Sequence, residues 1–377
     1  MTAQTRPAMT SVNEPTLYVA FELGAKEWTI AMTSCLGRTP WLRKVRAGDL
    51  PTVAQLLVQG RSHCGLPATA PVVSCYEAGR DGFWIHRALE AQGIRNRVVD
   101  SASIEVNRRA RRAKTDRLDA VKLVMMLVRV CSGEVQVWRE VRVPSAAAEA
   151  ARHVSRERRQ LVAEQTRMIN QLRSWLALSG CRLPKRRGGE WWVALRDWAG
   201  QALPVEVQLR LARTHARLVV IAAQLAGIAG TQAAALRTGP SVAAAQRLVQ
   251  LKGVATPGAS VLLDEGLVWR DFRNRREVGG LLGFTPVPYQ SGDQARDQGI
   301  DHAGNKRWRS VSVQLAWGWV RWQPSSVLTQ WYQRRFGSRG GRARRIGIVA
   351  LARKLVIALW RWACQGVLPE GAILKAA

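Results

Sequence analysis

Acidic residues are scarce in this sequence: 27 Asp and Glu stand against 57 Lys and Arg, and the formal net charge is +30. A compact chain with so large a charge repels itself unless a polyanion neutralises it, so DNA or RNA is the expected partner. A ribosome-associated protein and a peripheral membrane protein remain the alternatives. Because apolar residues make up 47% of the sequence, a disordered basic tail is excluded.

The sequence also lacks paired cysteines and an apolar leader. None of the six cysteines forms a C-x-x-C pair or has partner histidines at zinc spacing, so we expect reduced thiols and no zinc site. The N-terminal stretch MTAQTRPAMTSVNEPT contains no apolar signal-peptide core. Residues 218–236 carry no charge, but their Ala, Gly and Gln content favours a packed helix over a membrane span. We therefore expect a cytoplasmic, nucleoid-associated bacterial protein with no membrane partner.

The chain is long enough for two or three domains. Residues 15–135 alternate between strand and helix patterns in the order β-β-β-α-β-α-β-α, which indicates an α/β domain with a mixed sheet. Residues 145–240 predict a coiled-coil arm, because Val154, Leu161, Met168 and Trp175 recur every seven residues; an ordinary bundle helix is the alternative. Residues 245–377 predict a third, helical domain, interrupted by a loop rich in Pro and Gly at 283–299. The predicted fold class is thus α/β plus all-α.

Four carboxylates stand out against the basic background. Asp116 and Asp119 follow Thr115, which can cap a helix, and both would lie in its first turn. Glu22 lies on the first predicted strand and Glu77 at the carboxyl end of the fourth, where an α/β sheet usually binds its ligands. If the four converge, they form an oxygen cage suited to Mg²⁺, with Mn²⁺ as the alternative. The competing interpretation is that the two aspartates only stabilise the helix dipole.

A run of basic residues comes directly before the two aspartates. Above a metal site, such residues would hold a nucleic-acid backbone through its phosphates. The predicted contacts are Arg108, Arg109, Arg111, Arg112 and Lys114.

Six motifs in order carry a resemblance to a known family. They are AFELG at 20–24, YEAG at 76–79, KTDRLDA at 114–120, LKGVATPGASVLLDEG at 251–266, LLGFTPVPYQSG at 281–292 and GNKRWRSVSVQLAW at 304–317. From about residue 17 to residue 360 the chain resembles insertion-sequence transposases, the bridge-RNA-guided recombinases that also include the pilin-gene invertases. The resemblance implies a ribonuclease-H/RuvC-like DEDD domain, a coiled-coil arm and a helical C-terminal transposase domain that bears a serine.

Matched position by position, the resemblance implies that the acidic tetrad is Glu22, Glu77, Asp116 and Asp119 and that Ser291 is the catalytic nucleophile. The family pattern begins with Asp, and Glu22 is one methylene longer. Ser291 precedes Gly292, and this pair of residues alone predicts a turn. The resemblance favours the nucleophile, which would hold a DNA end covalently.

Two further sets of basic residues are predicted to contact nucleic acid. Those near the serine would clamp a phosphate, although Arg309 can equally belong to a solvated helix face: Arg296, Lys306, Arg307 and Arg309. The others lie in GSRGGRARR at 337–345, a phosphate- or RNA-contacting loop unless it only solubilises the chain: Arg342, Arg344 and Arg345.

The function implied by the resemblance is a DNA transposase that excises and inserts its own element through a serine-linked intermediate. A noncoding RNA of the element would pair with donor and target DNA, and dimers would join into a tetramer whose active sites are shared between subunits. One rival is a metal-dependent structure-selective nuclease of the Holliday-junction resolvase type, which needs the tetrad but not Ser291. The other rival is a non-catalytic basic nucleic-acid-binding protein.

Overall fold

The computed structural model describes residues 14–104, 115–238, 241–291, 294–301 and 304–376. The chain divides into two compact units, Met1–Pro144 and Ser145–Ala377. The elements of the first unit are β1 (Leu17–Leu23), β2 (Glu27–Thr33), β3 (Trp41–Arg46), α1 (Leu50–His63), β4 (Val72–Glu77), α2 (Trp84–Ala91), β5 (Arg95–Val99) and α3 (Asp116–Cys131).

The first unit is built on one five-stranded sheet in the order β3-β2-β1-β4-β5. The strands of the β1–β2–β3 meander pair antiparallel, whereas β4 pairs parallel to both β1 and β5. This arrangement confirms the mixed sheet predicted from the alternation of strand and helix patterns.

Both faces of the sheet are covered by helices. Side chains of α1 and α2, such as Val53 and Leu89, pack against Val19 and Phe21. On the opposite face, α3 packs against Ala20, Cys75 and their neighbours. Because successive strand residues point to opposite faces, even-numbered residues of β1 and odd-numbered residues of β4 face α3.

The second unit is helical apart from one hairpin in the part of the chain that the structure describes. Its elements are α4 (Ala146–Leu178), α5 (Val205–Thr238), α6 (Val242–Gln250), α7 (Thr256–Leu262) with a π-helical turn (Leu263–Leu267), α8 (Arg275–Leu282), β6 (Pro286–Ser291), β7 (Gln294–Ile300), α9 (Lys306–Trp322), α10 (Val327–Tyr332) with a second π-helical turn (Gln333–Gly337), and α11 (Gly341–Gln365).

The long helices α4 and α5 pack together through a cluster that includes Leu172, Leu176, Leu211 and Leu218. Helices α6 to α11 enclose the larger core of the unit, in which Trp308 and Trp319 are fully buried. One helix among the described residues, α5, is long and apolar enough to cross a membrane by length and composition, and 17% of its most apolar window is buried.

The prediction of a loop at residues 283–299 is wrong, because these residues contain the antiparallel pair β6 and β7. All six residues of β6 are exposed, so no alternation of apolar and polar residues marks the strand in the sequence. Pro286 and Pro288 fit an edge strand, since proline adopts extended backbone angles and is tolerated where no ladder donor is needed.

Candidate functional site

Two of the predicted carboxylates lie on one face of the sheet. Glu22 is the sixth residue of β1 and Glu77 the last residue of β4, and both are half-buried. In the parallel pairing of these strands Ala20 lies opposite Cys75. Glu22 follows Ala20 by two residues on β1, and Glu77 follows Cys75 by two residues on β4. Glu22 and Glu77 therefore point to the face covered by α3, near the carboxyl ends of adjacent strands.

The start of α3 lies at the same end of the sheet. The Cys75 Sγ atom is 3.9 Å from the carbonyl oxygen of Leu123. Tyr18 of β1 and Cys131, the last residue of α3, pack against the same buried cluster on this face. The helix thus runs antiparallel to β1 and β4, and its first turn points towards their carboxyl ends.

Counted from the contact between Cys75 and Leu123, Asp119 and Glu77 lie at similar distances along their own elements. Asp119 precedes Leu123 by four residues, about 6 Å along a helix, and Glu77 follows Cys75 by two residues, about 7 Å along a strand. Asp116 lies one further turn out and is exposed, whereas Asp119 is half-buried. Thr115 caps the helix, because its Oγ1 accepts a hydrogen bond from the backbone N–H of Leu118 at 3.3 Å.

The donor set fits a hard divalent cation, because all four predicted ligands are carboxylates, whose oxygens Mg²⁺ and Mn²⁺ prefer. Among the residues that the structure describes, however, no three His, Cys, Asp or Glu side chains are close enough to share one metal ion. Glu22 and Glu77 thus share one face and one end of the sheet, and the first turn of α3 points the same way, but no cage closes around an ion among the described residues. The basic run predicted to lie above them, residues 108–114, falls outside the described residues.

Ser291 ends β6 and pairs with Gln294 across the tip of the hairpin. Its side chain is exposed, as an attacking group that must reach a DNA strand requires. On β7, Arg296 pairs through its backbone with Tyr289.

The predicted phosphate contacts on α9 differ in their surroundings. Lys306 is exposed. The Arg307 Nε atom is 3.8 Å from the Glu265 carboxylate, and Arg309 donates a hydrogen bond to the carbonyl oxygen of Leu282 at 3.2 Å. Two of the three therefore have partners within the fold. In the first turns of α11, Arg342, Arg344 and Arg345 are all exposed.

The sequence reasoning missed a buried carboxylate at the π-helical turn. Glu265 is 1% exposed and accepts two hydrogen bonds from Arg156 of α4, at 3.1 and 3.3 Å, and one from Asn305 at 3.0 Å. Burial opposes ionisation of this carboxyl, but the bonds from Arg156 and Asn305 outweigh it and lower its pKa. In the sequence Arg156 lies outside the apolar stripe of α4, where a charged residue is expected to face solvent, so the pattern gives no sign of its buried partner.

The neighbouring Asp264 shifts in the opposite direction. Burial raises its pKa to about 6, against the hydrogen bond donated by Ser155, and the charge of Glu265 adds to the rise. The Ser155 Oγ atom lies 2.8 Å from the Asp264 carboxylate. These contacts join α4 to the C-terminal core at a single turn.

Comparisons with known proteins agree with the class that the mixed sheet and its carboxylates indicate, a DNA-processing protein with a RuvC-like domain. Residues 48–179 match the family model described as DEDD_Tnp_IS110, Transposase. Residues 245–331 match Transposase_20, Transposase IS116/IS110/IS902 family. The first range includes Glu77, Asp116 and Asp119, and the second includes Ser291.

Two similar proteins come from Sinorhizobium fredii (strain NBRC 101917 / NGR234). "Putative transposase y4rJ" is 36% identical over 387 residues, which cover 98% of this chain and 97% of the relative. "Putative transposase y4qE" is 26% identical over 325 residues, which cover 77% of this chain and 74% of the relative. The chain belongs to the IS110 family of insertion-sequence transposases, with a RuvC-like DEDD domain and a C-terminal Transposase_20 domain.

Proposed function

We propose that this transposase cuts and rejoins DNA in the cytoplasm through a covalent link to Ser291, with the four carboxylates of the first unit as its metal ligands. The observation that carries the proposal is the shared face and end of the sheet reached by Glu22, Glu77 and the first turn of α3. Carboxylates at this end of the sheet would repel the phosphates of bound DNA, and a divalent cation held by them would remove that repulsion.

Ser291 supplies the attacking atom. Its Oγ–H bond breaks as Oγ bonds to the phosphorus of a phosphodiester, and the bond from phosphorus to the leaving sugar oxygen breaks in line with the attack. The leaving oxygen takes up a proton. Attack by the hydroxyl of a second DNA end on the serine phosphodiester reverses these changes and joins the strands, so no external energy source is needed.

The acidic tetrad would hold Mg²⁺, or Mn²⁺ in its place. When bound, such an ion polarises the phosphoryl oxygens and stabilises charge on the attacking and leaving oxygens. The residues themselves set where an ion can bind: Thr115 fixes the first turn of α3, and the β1–β4 pairing fixes the spacing of Glu22 from Glu77. Because Glu22 is one methylene longer than the Asp of the family pattern, its side chain must lie along the sheet face to place the carboxylate where that of Asp would be.

Trapping the intermediate tests the serine. Wild-type protein incubated with a nicked donor substrate should form a DNA adduct that survives denaturing electrophoresis, and Ser291→Ala should form none. Ser174→Ala is the matched control, because Ser174 is an exposed serine of α4, and its adduct should match that of the wild type. If Ser291→Ala still cleaves DNA at the normal rate, the structure-selective nuclease becomes the better account.

Calorimetric titration with Mg²⁺ or Mn²⁺ tests the tetrad separately from activity. Asp116→Asn with Asp119→Asn should abolish both metal binding and cleavage. Glu134→Gln should leave both intact, because Glu134 is an exposed carboxylate beyond the opposite end of α3. Unchanged DNA cleavage by the double variant would remove the metal ligands from the mechanism.

We propose that a noncoding RNA of the element guides the reaction, as the family resemblance implies, and the net charge of +30 suits a protein that binds both RNA and DNA. Recombination reconstituted with this RNA should follow changes in its pairing segments to new DNA targets. Full recombination at unchanged sites after ribonuclease treatment would contradict the guidance.

We propose that α5 joins two copies of the chain, as a first step to a tetramer. Its exposed apolar residues Val205, Leu209, Val219 and Val220 lie within about 100° around the helix axis, opposite the side that packs on α4. Leu209→Glu with Val220→Glu should give a monomer in analytical ultracentrifugation. Ala222→Glu, an exposed position outside that face, should leave the assembly unchanged, and a dimeric double variant would exclude α5 as the interface.

A further inference from the structure

A cleft of about 1000 Å³ opens beside the base of the hairpin that carries Ser291. Its apolar wall includes Phe284, Ile300 and Trp331. Five of the lining residues are basic, and no Asp or Glu is among the described ones: Arg275, Arg276, Arg342, Arg353 and Lys354. An apolar wall beside basic side chains, with no carboxylate among the described lining residues, fits a ligand that is both anionic and aromatic.

Trp331 also borders a second cavity of about 530 Å³. This cavity is lined by Arg334, Arg335 and Arg339. One half-buried indole therefore stands between two sets of guanidinium groups. In the part of the chain that the structure describes, none of these basic side chains forms an ion pair with a carboxylate.

The fold holds two of the cleft's cations in place. The Lys354 Nζ atom lies 4.8 Å from the centre of the Trp331 ring. Arg353 lies against Gly279 of α8, where an added Cβ would stand 2.9 Å from its Nε atom. Because Gly279 has no side chain, the Arg353 guanidinium can lie directly on the helix. This contact restricts the guanidinium before a ligand binds, so less conformational entropy is lost on binding.

We propose that this cleft binds an unpaired nucleic-acid strand, whose phosphates contact the basic residues while one base stacks on Trp331. A base can reach an indole only when it is unpaired, and stacking on an aromatic side chain with phosphates on nearby cations is how single strands are bound. Strand β6 runs from the cleft at Pro286 to Ser291, about 17 Å away along the hairpin. A strand held in the cleft is therefore within reach of the serine.

The inference rests on the proposed function, because it assumes that nucleic acid is the substrate. Binding by full-length Ser291→Ala protein tests it without any cleavage step. The probes are labelled single-stranded DNA, RNA of the same sequence, and the corresponding DNA duplex, measured by anisotropy over a range of salt concentrations. In this background Arg276→Gln with Arg342→Gln is compared with Arg237→Gln and Arg361→Gln, two exposed arginines outside the cleft.

The cleft pair should weaken single-strand binding about tenfold and lower the salt slope by about 1.4, the value for two lost phosphate contacts. The outside pair should change both much less. Tighter binding of RNA than of DNA would assign the cleft to a guide strand, and the reverse would assign it to a donor or target strand. Equal losses for the two pairs, or losses confined to the duplex, would overturn the proposal.

Photocrosslinking provides a second test, and its first step needs only the wild-type protein. An oligonucleotide that contains 5-iodouracil should crosslink to the wild-type peptide that includes Trp331, as located by mass spectrometry. Trp331→Phe keeps a ring and should retain binding, whereas Trp331→Leu should weaken it about tenfold. Crosslinks found only on other peptides would overturn the proposal while leaving the serine mechanism intact.

Discussion

Asp264 should make the stability of the second unit depend on pH in an unusual direction. Its pKa is about 6 in the folded protein and close to the ordinary 3.8 when unfolded. Between these values the folded state binds the additional proton, so the stabilisation is complete below pH 3.8 and is lost as the pH rises through 6. Most carboxylates with a partner behave in the opposite way.

The size of the effect follows from the difference between the two pKa values. A shift of one pKa unit corresponds to about 1.4 kcal/mol, so Asp264 should lower the free energy of unfolding by up to about 3 kcal/mol between pH 4 and pH 7. Asp264→Asn has the same shape and no charge, and its amide oxygen can still accept the hydrogen bond from Ser155. The variant should therefore match the wild type near pH 4 and be the more stable protein at pH 7.

Urea unfolding of both full-length proteins at each pH, followed by tryptophan fluorescence, measures this difference. Hydrogen exchange of the amides of residues 263–270 locates it. Ser155→Ala provides the control on the cause, because the bond from Ser155 lowers the pKa of Asp264. In that variant the loss of stability should move to higher pH. A difference between wild type and Asp264→Asn that stays constant from pH 4 to pH 7 would refute the reasoning.

Three other variants test the packing around the proposed sites by urea unfolding. Glu265→Ala should cost about 3 kcal/mol, because it leaves the Arg156 guanidinium without its buried partner, and an unchanged midpoint would show that this pair does not hold α4 to the C-terminal core. Gly266→Ala should cost about 1–3 kcal/mol, since its Cβ would stand 2.6 Å from the buried Trp308 ring. Thr115→Ala should cost about 1 kcal/mol through the lost cap of α3, whereas Thr115→Ser should cost little.

The sheet and its order of elements could be predicted because local patterns encode them. In β1 and β2 the apolar runs are long enough to mark buried strands, and Thr115 marks the start of α3 through its side-chain chemistry. The positions of Glu22 and Glu77 near strand ends then follow from the pattern alone. Their common face does not, because it depends on the register that pairs Ala20 with Cys75, which only packing decides.

The burial of the two acids at the π-helical turn could not be predicted from the sequence, for a different reason. Asp264 and Glu265 are adjacent charged residues, which in a sequence indicate a solvated surface. Their burial depends on Arg156 and Ser155, each 109 residues away in the chain. A charge can be buried only where its partner is also present, so the nearby sequence carries no sign of it.

The same argument explains why the total charge could not be assigned to a site. Most of the predicted nucleic-acid contacts lie in two basic runs, residues 108–114 and 337–345, and the others were predicted for their place near Ser291. The basic cleft shares Arg342 with the second run but draws Arg276 from α8, Arg353 from a later turn of α11 and its indole from α10, and no run in the sequence joins these residues. Basic residues in a run repel one another and spread along an exposed segment. Cations brought together by three packed helices over an apolar wall remain close even without a ligand, and this fixed geometry is what a binding site for a strand requires.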